Sequence, residues 1–596
     1  MVRYSALATA VAMSSFTVLA DSGQDPFEHL TVYANRQSAP VAQQLSSVVV
    51  LDRQAIEQAQ VVDLPALLAQ VAGVQISRNG TKGHASSVYI RGGASGHTLV
   101  LIDGVRIGAA TLGYASLAEL PLQQIEQVEV IKGPKAALYG SDAVSGVIAI
   151  TTRKAEQTQL TVKAGRYGNR EADIATSVRS GDLSLSANLG VARADGFDIR
   201  PGTQPDEDGY VQRFGKVAAA YQSSVGDWSL DHQRLQQDLQ YDADPTWGGT
   251  DQADIQTDLT SLGWNYSTGQ SQQQLKLSRQ KNADLNFGND SPDSLFQTRR
   301  DELDYQYSQS LTNELKALAG VNWYQEDVYG TSYEVDSRIN KALFAGLSYQ
   351  HVGWLLDGTV RHDKQSQYGH QNTYQLAAGY QLTADWQLRL SRATAFKAPS
   401  FNDLYYPYSG NPLLQPEHAL SHELGLRYSG KSWQLDSSLY QQDVDNLVQW
   451  APDESGNWLP ANVGKAKIQG AELSLAQQWQ AFSQQLNYSY TDAKDDITDE
   501  RLIKRSRHTL FWQGAYQWQQ WRAFVNSRYQ NDFATGDYST PVQGGFTLWD
   551  AGLSWTASQK WEMALKLENL TNKDYQYVPG YAAPGSEWSL QVISRF

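Results

Sequence analysis

The sequence predicts a transmembrane antiparallel β-barrel of about 22 strands with an N-terminal α/β plug domain inside the lumen. The first observation is compositional. The chain is only 41% hydrophobic yet contains 17 Trp and 32 Tyr, which suggests aromatic belts at a bilayer surface. Second, no apolar run beyond residue 20 reaches the roughly 18 to 20 residues of a spanning helix. Third, mixed segments give way near residue 153 to sustained alternation. Such a chain can cross a membrane only as a closed barrel.

Residues 1–20 have the layout of a secretory signal peptide. One charge at Arg3 precedes a mostly apolar stretch that ends at Ala20, a pattern that is removed from the mature protein. A membrane anchor would be longer, and Ser14 and Ser15 interrupt this one. We therefore expect export, with a mature chain that starts near residue 21.

Residues 28–35 (EHLTVYAN) have the alternation of a strand and lie in an N-terminal segment, 21–45. Apolar side chains alternate with Thr31 and Tyr33. The polar stretch that follows contains Pro40 and lacks a two-residue turn signal, so no tight hairpin partner is expected.

Residues 46–153 mix short helices with short strands, which indicates a small α/β domain. Asp52 and Asp63 occupy N-cap positions before RQAIEQA and LPALLAQVAG, and Gly73 stands where a helix would end. Strand-like runs follow at VYIRG, TLVLIDG and VEVIKG. These residues form the predicted plug.

Residues 155–596 form the predicted barrel, because segments of about ten residues alternate in hydrophobicity between turn residues. WEMALKLENL, for example, places Trp561, Met563, Leu565 and Leu567 on one face. A crossing and its turn need roughly 20 residues, which gives about 22 strands and does not separate 20 from 24. A large soluble β-sandwich or propeller would also alternate, but it would bury its Trp residues.

Composition and motifs exclude several functions. The chain has no Cys, so disulfides and thiolate sites are absent, and its net charge of −15 argues against a nucleic-acid partner. No Gly-x-Ser-x-Gly or comparable nucleophile constellation occurs. We therefore expect no enzymatic activity and no catalytic cofactor. A passive porin would have no use for a plug.

Three runs in the α/β region resemble the plug domain of TonB-dependent outer-membrane receptors: VYIRGG, TLVLIDGVRIG and VEVIKGPKAALYGSDAVSGVIAITTR. Within that family, GVQISRNGTKGHASSVYIRGGASGHTLVLIDGVR, TAFKAPSFNDLYYPYSGNPLLQPEHA and NVGKAKIQGAE are similar to the cobalamin-receptor branch. The resemblance covers essentially the whole chain. It implies a monomer in the bacterial outer membrane that imports cobalamin with energy from the TonB complex.

The resemblance also gives residues 28–35 a function. They correspond in position to the TonB box, which adds a strand to a sheet edge of TonB through main-chain hydrogen bonds. Its residues here are Glu28, His29, Leu30, Thr31, Val32, Tyr33, Ala34 and Asn35. Residues 579–596 correspond to the TonB C-terminal box. The alternative is a strand that merely pairs with the plug.

Two acidic segments, DGFDIRPGTQPDEDGY and YDADPTWGGTDQAD, predict a calcium site, because hard cations prefer clustered carboxylate oxygens. Solvated turn residues are the alternative. The resemblance implies two calcium ions. Their ligands would be Asp198, Gln204, Asp206, Asp208, the carbonyl of Tyr241, Asp242, and either Asp251 or Asp254, with Asp251 favoured by strand parity.

The resemblance further implies substrate contacts at Ala85, Ser87, Ala94, Thr111, Leu112, Gly113, Ala243, Lys504 and Tyr538. Several depart from the family pattern, which often has larger or polar residues at Ala85 and Ala94 and an Arg at Lys504. Lys504 and Tyr538 could equally be ordinary rim residues. A haem or siderophore receptor is the rival interpretation. The stretch 396–413 lacks the His that haem receptors usually carry there, whereas His84 on the plug keeps haem open.

Overall fold

The computed structural model describes residues 30–31, 36, 39–202, 205–242, 251–288, 291–330, 333, 335–452, 458–535 and 542–596. Two short strands, β1 (Leu30–Thr31) and β2 (Ala39–Pro40), pair antiparallel at the N-terminus. The plug follows, with 3-10 turns at Val41–Gln43, Ser95–His97 and Leu122–Gln124. Its strands and helices are β3 (Val48–Leu51), α1 (Arg53–Ala59), α2 (Leu64–Leu68), β4 (Val74–Arg78), β5 (Ser86–Ile90), β6 (Thr98–Ile102), β7 (Val105–Ile107), β8 (Ile125–Lys132), α3 (Ala136–Tyr139) and β9 (Gly146–Thr152).

Both predicted N-caps are present in the plug. The side chain of Asp52 accepts a hydrogen bond from the Ala55 amide at 2.8 Å, and that of Asp63 accepts one from the Ala66 amide at 2.9 Å. Each cap satisfies one of the free amides at a helix start.

The second helix ends earlier than its sequence predicts. It stops at Leu68 instead of running to Gly73, because the next amides bond three residues back in a tighter turn. Gly73 has φ of +79°, and its amide donates to Ser489 Oγ at 2.6 Å. The glycine therefore marks a close contact between plug and barrel.

The plug core is a five-stranded sheet in the order β3-β8-β9-β6-β7, with β6 and β9 parallel and a separate β4–β5 hairpin. Leu64, Leu67 and Leu68 of α2 pack in one buried cluster with Val128 and Ile148 of the sheet. The three strand-like runs of the sequence become β5, β6 and β8.

Twenty-two of the remaining strands form a closed barrel, each antiparallel to its neighbours, with β10 paired to β33. This confirms the predicted fold class. They are β10 (Gln159–Gly165), β11 (Arg170–Ser180), β12 (Leu183–Phe197), β13 (Asp208–Tyr221), β14 (Asp227–Gln240), β15 (Gln252–Ser267), β16 (Ser271–Gly288), β17 (Ser291–Ser310), β18 (Leu315–Tyr329), β19 (Ser337–His351), β20 (Trp354–Gln365), β21 (Gly369–Gln381), β22 (Trp386–Lys397), β23 (Glu417–Ser429), β24 (Trp433–Pro452), β25 (Trp458–Trp479), β26 (Phe482–Asp495), β27 (His508–Trp518), β28 (Trp521–Gln530), β31 (Phe546–Ser558), β32 (Trp561–Glu568) and β33 (Glu587–Arg595). Helix α4 (Phe401–Tyr405) and the pair β29 (Phe533–Ala534) and β30 (Val542–Gln543) lie in loops.

Alternation along each strand separates lumen from exterior. On β10, Thr161 and Lys163 are buried while Leu160 and Val162 are exposed, so the apolar side chains face outward, as in a transmembrane barrel. The predicted face of β32 behaves in the same way, since its Trp, Met and Leu residues are exposed. Within the described residues, no helix is both long and apolar enough to span a bilayer.

Buried ion pairs fix the plug inside the lumen. Arg91 of the plug binds Glu423 at 2.7 Å and Glu472 at 3.0 Å on the barrel wall, and Lys132 binds Glu472 at 2.7 Å.

The long loops lie at one end of the barrel. The strands are antiparallel, so the loops after β12, β14, β16 and β22 all lie at the end opposite to the one at which β10 begins. In outer-membrane barrels the longer loops are extracellular.

Candidate functional site

A cavity of ≈ 530 Å³ lies between the plug and the barrel wall near the long loops. The plug contributes residues 79, 83–86, 107–109, 111, 112, 114–116, 119 and 120, and the wall contributes side chains from β14 to β16. Ala85, Thr111 and Leu112 of the predicted contacts line it, and Leu112 remains 46% exposed. Such enclosures, largely apolar with a few polar groups, are typical of small-molecule sites.

Four other predicted contacts do not line this cavity. Ser87, Ala94, Gly113 and Lys504 are not among its lining residues. The carbonyl of Gly113 accepts a hydrogen bond from Lys397 Nζ at 3.0 Å, and the Lys504 amide donates to the Ala534 carbonyl at 2.6 Å. Ala243 and Tyr538 lie outside the described residues.

The cavity contains two acidic residues that the sequence does not predict as site residues. Glu119 of the plug and Asp284 of β16 both line it, and Asn286 Nδ2 donates to Asp284 Oδ1 at 2.9 Å. Burial, together with the charge of Asp284, raises the pKa of Glu119 to about 7. The available signal was a lone charge within the apolar run LAELPL. The facing acid on β16 had none, because only the closed barrel brings it near the plug.

His84 of the plug is buried, with 1% of its surface exposed. Its Nε2 lies 3.1 Å from the Gln240 carbonyl and its Nδ1 lies 3.3 Å from the Thr81 carbonyl. Burial lowers the pKa of His84 to about 4. With both ring nitrogens against backbone carbonyls, neither is directed at a ligand in the cavity.

Three of the predicted calcium ligands come together beside the cavity. Carboxylate oxygens of Asp198, Asp208 and Asp242 all lie within 4.8 Å of one another. The amide of Ile199 donates to Asp208 at 2.9 Å, and that of Arg200 donates to Asp198 at 3.0 Å. The loops after β12 and β14 therefore meet at one acidic cluster.

Asp242 has the least compensated carboxylate among the described residues of the cluster. Both of its carboxylate oxygens are buried and, within the described part of the chain, accept no hydrogen bond. Burial, reinforced by the negative charges of Asp208, Asp206 and Asp198, raises the pKa of Asp242 to about 6. A buried carboxylate without partners is unfavourable, and a hard cation would relieve this unfavourable burial.

The remaining predicted ligands differ in position. The Tyr241 amide donates to the Asp251 carbonyl at 2.8 Å, and one carboxylate oxygen of Asp251 is buried without a hydrogen bond among the described residues. Asp254 pairs with Asp238 across the strands, and the exposed Asp238 binds Arg213 at 2.7 Å. Cross-strand partners share a face, so Asp254 lies on the outside of the barrel. Asp206 is exposed, and Gln204 lies outside the described residues.

Of the predicted TonB box, the structure describes only Leu30 and Thr31. These two residues pair with Pro40 and Ala39, so this short segment has a partner in the chain, although not through the tight hairpin that the sequence argues against. Seven residues separate the two paired strands along the sequence, more than the two of a tight turn. The residues Glu28, His29, Val32, Tyr33, Ala34 and Asn35 lie outside the described part.

Arg36, directly after the box, is anchored inside the barrel. Its Nη1 lies 2.7 Å from Asp304 Oδ1, and its carbonyl accepts a hydrogen bond from Gln306 Nε2 at 3.0 Å. The guanidinium carbon lies 4.5 Å from the ring centroid of Tyr139, a cation–π contact with the plug. Arg36 therefore connects the N-terminal segment to both barrel and plug.

A closed barrel with a plug in its lumen, and a cavity above that plug, defines a gated outer-membrane transporter. The chain belongs to the TonB-dependent receptor family. Residues 160–570 match the family model "TonB dependent receptor-like, beta-barrel", and residues 40–147 match the "TonB-dependent Receptor Plug Domain". It is therefore a receptor for TonB-dependent transport across the outer membrane.

Among curated relatives, the chain is 34% identical to the "Vitamin B12 transporter BtuB" of Photobacterium profundum, with 92% of each chain covered. It is 29% identical to the protein of the same name from Vibrio vulnificus over 99% of each chain. Solved structures include a mutant of the ferric enterobactin receptor PfeA from Pseudomonas aeruginosa, with TM-score 0.81, 17% identity and coverage of 95% of this chain and 100% of that one. The siderophore receptor PirA from Acinetobacter baumannii gives TM-score 0.80 at 16% identity, covering 92% and 98%. At these identities the solved structures establish the fold alone.

Proposed function

We propose that this receptor imports cobalamin across the outer membrane, and that calcium ions order its ligand-binding loops. The observation that carries the ligand assignment is the 34% identity over 92% of both chains to a vitamin B12 transporter. The cavity at the plug supports it, since Ala85, Thr111 and Leu112 line an enclosure large enough to receive part of a bulky organic ligand.

Calcium fits the donors that are present. Asp198, Asp208 and Asp242 would hold one ion, with Asp251 close by, and all offer the oxygen ligands that calcium prefers. When bound, the ion would supply positive charge that compensates the clustered carboxylates. The bound ion would also connect the loop after β12 to the loop after β14. This connection would lie next to the cavity, because Tyr241 and Asp242 line the cavity.

TonB is the proposed energy-transducing partner, and residues 28–35 are its proposed docking strand. The short β1–β2 pairing involves only two residues on each side, so few hydrogen bonds hold the strand in place. Strand addition to a sheet edge would replace those bonds with a longer ladder.

A haem or siderophore receptor remains the rival function. The solved siderophore receptors share the fold, but their identity of 16 to 17% carries no ligand information. For haem, the orientation of both His84 nitrogens toward backbone carbonyls is unfavourable.

A ligand panel tests the proposal. Purified receptor with calcium is dialysed to equilibrium against cyanocobalamin, haem and a ferric catecholate, and bound ligand is measured by absorbance. We expect saturable binding of cyanocobalamin and no saturable binding of haem or the ferric catecholate. Leu112→Trp, which fills part of the cavity, should weaken it, while Leu382→Trp on an exposed turn should not. Tight haem binding without cobalamin binding would overturn the proposal.

A further inference from the structure

The outer face of the barrel carries a group of four basic residues at the loop end of β19 to β21. Lys341, His362, Lys364 and His370 are all exposed there. Lys341 lies directly opposite Lys364, and Lys364 lies directly opposite His370. We refer to these four residues as the outer basic patch.

This arrangement is unfavourable in isolation. Like charges directly opposite each other on neighbouring strands destabilise a sheet. In the described part of the outer faces of β19, β20 and β21 there is no Asp or Glu. The acidic Asp363 of β20 points into the barrel, where it binds Arg361 at 2.8 Å with both side chains fully buried.

Several outward-facing arginines at this height, by contrast, have acidic partners. Arg213 binds Asp238 at 2.7 Å, Arg234 binds Asp258 at 2.9 Å, and Arg299 on β17 binds Asp327 at 2.6 Å. These pairs follow one another around the barrel from β13 to β18. Among the described residues, neither Lys341 nor Lys364 forms an ion pair.

The two histidines of the patch are held in a defined arrangement. His362 Nε2 lies 3.0 Å from His370 Nδ1, and His362 Nδ1 lies 2.7 Å from Asn372 Oδ1. The ring centroids of His362 and His370 are 5.0 Å apart. Both rings stand beside Lys364, because His370 is its cross-strand neighbour. The patch thus offers two ammonium groups and a fixed imidazole pair on one surface.

The apolar surface next to the patch indicates what covers it. On the same outward rows, toward the other end of the barrel, Leu343 is 61% exposed, Val360 58% and Leu376 55%. Outward apolar residues of a membrane barrel face acyl chains. The patch therefore lies at the level of the lipid headgroups in the outer leaflet, facing the lipid and not the lumen.

We propose that the outer basic patch binds the phosphate of an anionic lipid headgroup in the outer leaflet, with the acyl chains of that lipid on Leu343, Val360 and Leu376. Charge complementarity favours this occupant, since phosphate oxygens accept charge-assisted hydrogen bonds from Lys and His. A bound phosphate compensates the opposed charges of Lys341 and Lys364. Basic clusters at membrane surfaces recognise anionic headgroups in this way.

Lipid binding to the full-length receptor in neutral detergent tests the proposal. The probes are diphosphorylated lipid A and enzymatically dephosphorylated lipid A, with affinities measured by native mass spectrometry. Each lysine near an anionic headgroup contributes about fivefold, so Lys341→Gln with Lys364→Gln should lower lipid A affinity about 25-fold. Lys341→Arg with Lys364→Arg should retain it. The matched control, Arg213→Gln with Arg234→Gln, removes two cations that already have acidic partners and should change it little.

The proposal fails if both double glutamine variants lose lipid equally, or if dephosphorylated lipid A binds as tightly as the phosphorylated form. It also fails if excess inorganic phosphate displaces the lipid completely, because the patch would then be a site for free phosphate. Cyanocobalamin binding, measured on the same variants, should stay unchanged, so this result is independent of the transported ligand.

Discussion

Asp242 is the residue on which the calcium proposal depends most directly. Its burial and its acidic neighbours raise its pKa to about 6, so protons and calcium compete for the same carboxylate. Below pH 6 the proton is bound and must be released before the metal can bind. Above pH 6 the carboxylate is ionised.

We therefore predict that calcium affinity falls as pH decreases through 6, by up to about tenfold per pH unit for one displaced proton. Isothermal titration with calcium between pH 5 and 8 measures this dependence. Asp242→Asn should weaken calcium binding at pH 7.5 and flatten the profile. Asp238→Asn, at an exposed carboxylate outside the cluster, serves as the control, and a similar effect of both substitutions would contradict the assignment.

Glu119 gives a second prediction at the residue scale. Its folded-state pKa of about 7 exceeds the ordinary value of 4.5, so the folded receptor holds this proton more tightly than the unfolded chain. Its contribution to stability is complete below pH 4.5 and declines as pH rises through 7. The free energy of unfolding should therefore fall less with rising pH in Glu119→Gln than in the unaltered chain, by about 1 to 2 kcal/mol. Thermal midpoints at pH 5 and pH 8 measure it, with Glu207→Gln on an exposed loop as the control.

At the scale of elements, the N-terminal strand makes two separable predictions. Leu30→Pro removes a backbone donor and fixes φ, which should prevent strand addition to a TonB sheet edge. We expect cyanocobalamin binding to survive while uptake of labelled cobalamin by cells is lost. Loss of binding would mean that the segment is part of the plug structure.

The second prediction concerns the anchor of this strand. Arg36→Gln removes the ion pair with Asp304 and the contact with the Tyr139 ring, so the strand should become more mobile. Because the chain has no Cys, Thr31→Cys provides a single spin-labelling site. We expect a narrower spectrum with Arg36→Gln and no change with Arg193→Gln, which removes an exposed ion pair. An unchanged spectrum in both would exclude the anchor.

Elements were predictable where one period repeats. A barrel of about 22 strands follows from alternation sustained over more than 400 residues, although the pattern does not separate 20 from 24 strands. The helix caps at Asp52 and Asp63 follow from local chemistry. The end of the second helix was not predictable, since Gly73 is required by contact with Ser489 and Glu472 of the barrel and not by the helix.

At the scale of the whole molecule, the site is assembled by contacts that sequence spacing does not encode. Arg91 forms an ion pair with Glu423 although 332 positions separate them. Glu119 and Asp284 line the same cavity only because the barrel closes around the plug. The acidic cluster was predictable because its residues fall in two recognisable loops. The outer basic patch was not, because it depends on the register between β19, β20 and β21.

We propose that this receptor binds cobalamin with the help of calcium. The most direct test is a titration of purified receptor with cyanocobalamin, in saturating calcium and again after chelation, for the unaltered chain and for Asp242→Asn. We predict tight binding in calcium, a marked loss of affinity after chelation, and little calcium response in Asp242→Asn. Equal cyanocobalamin affinity with and without calcium would contradict the role of the metal, and no binding under either condition would contradict the assigned ligand.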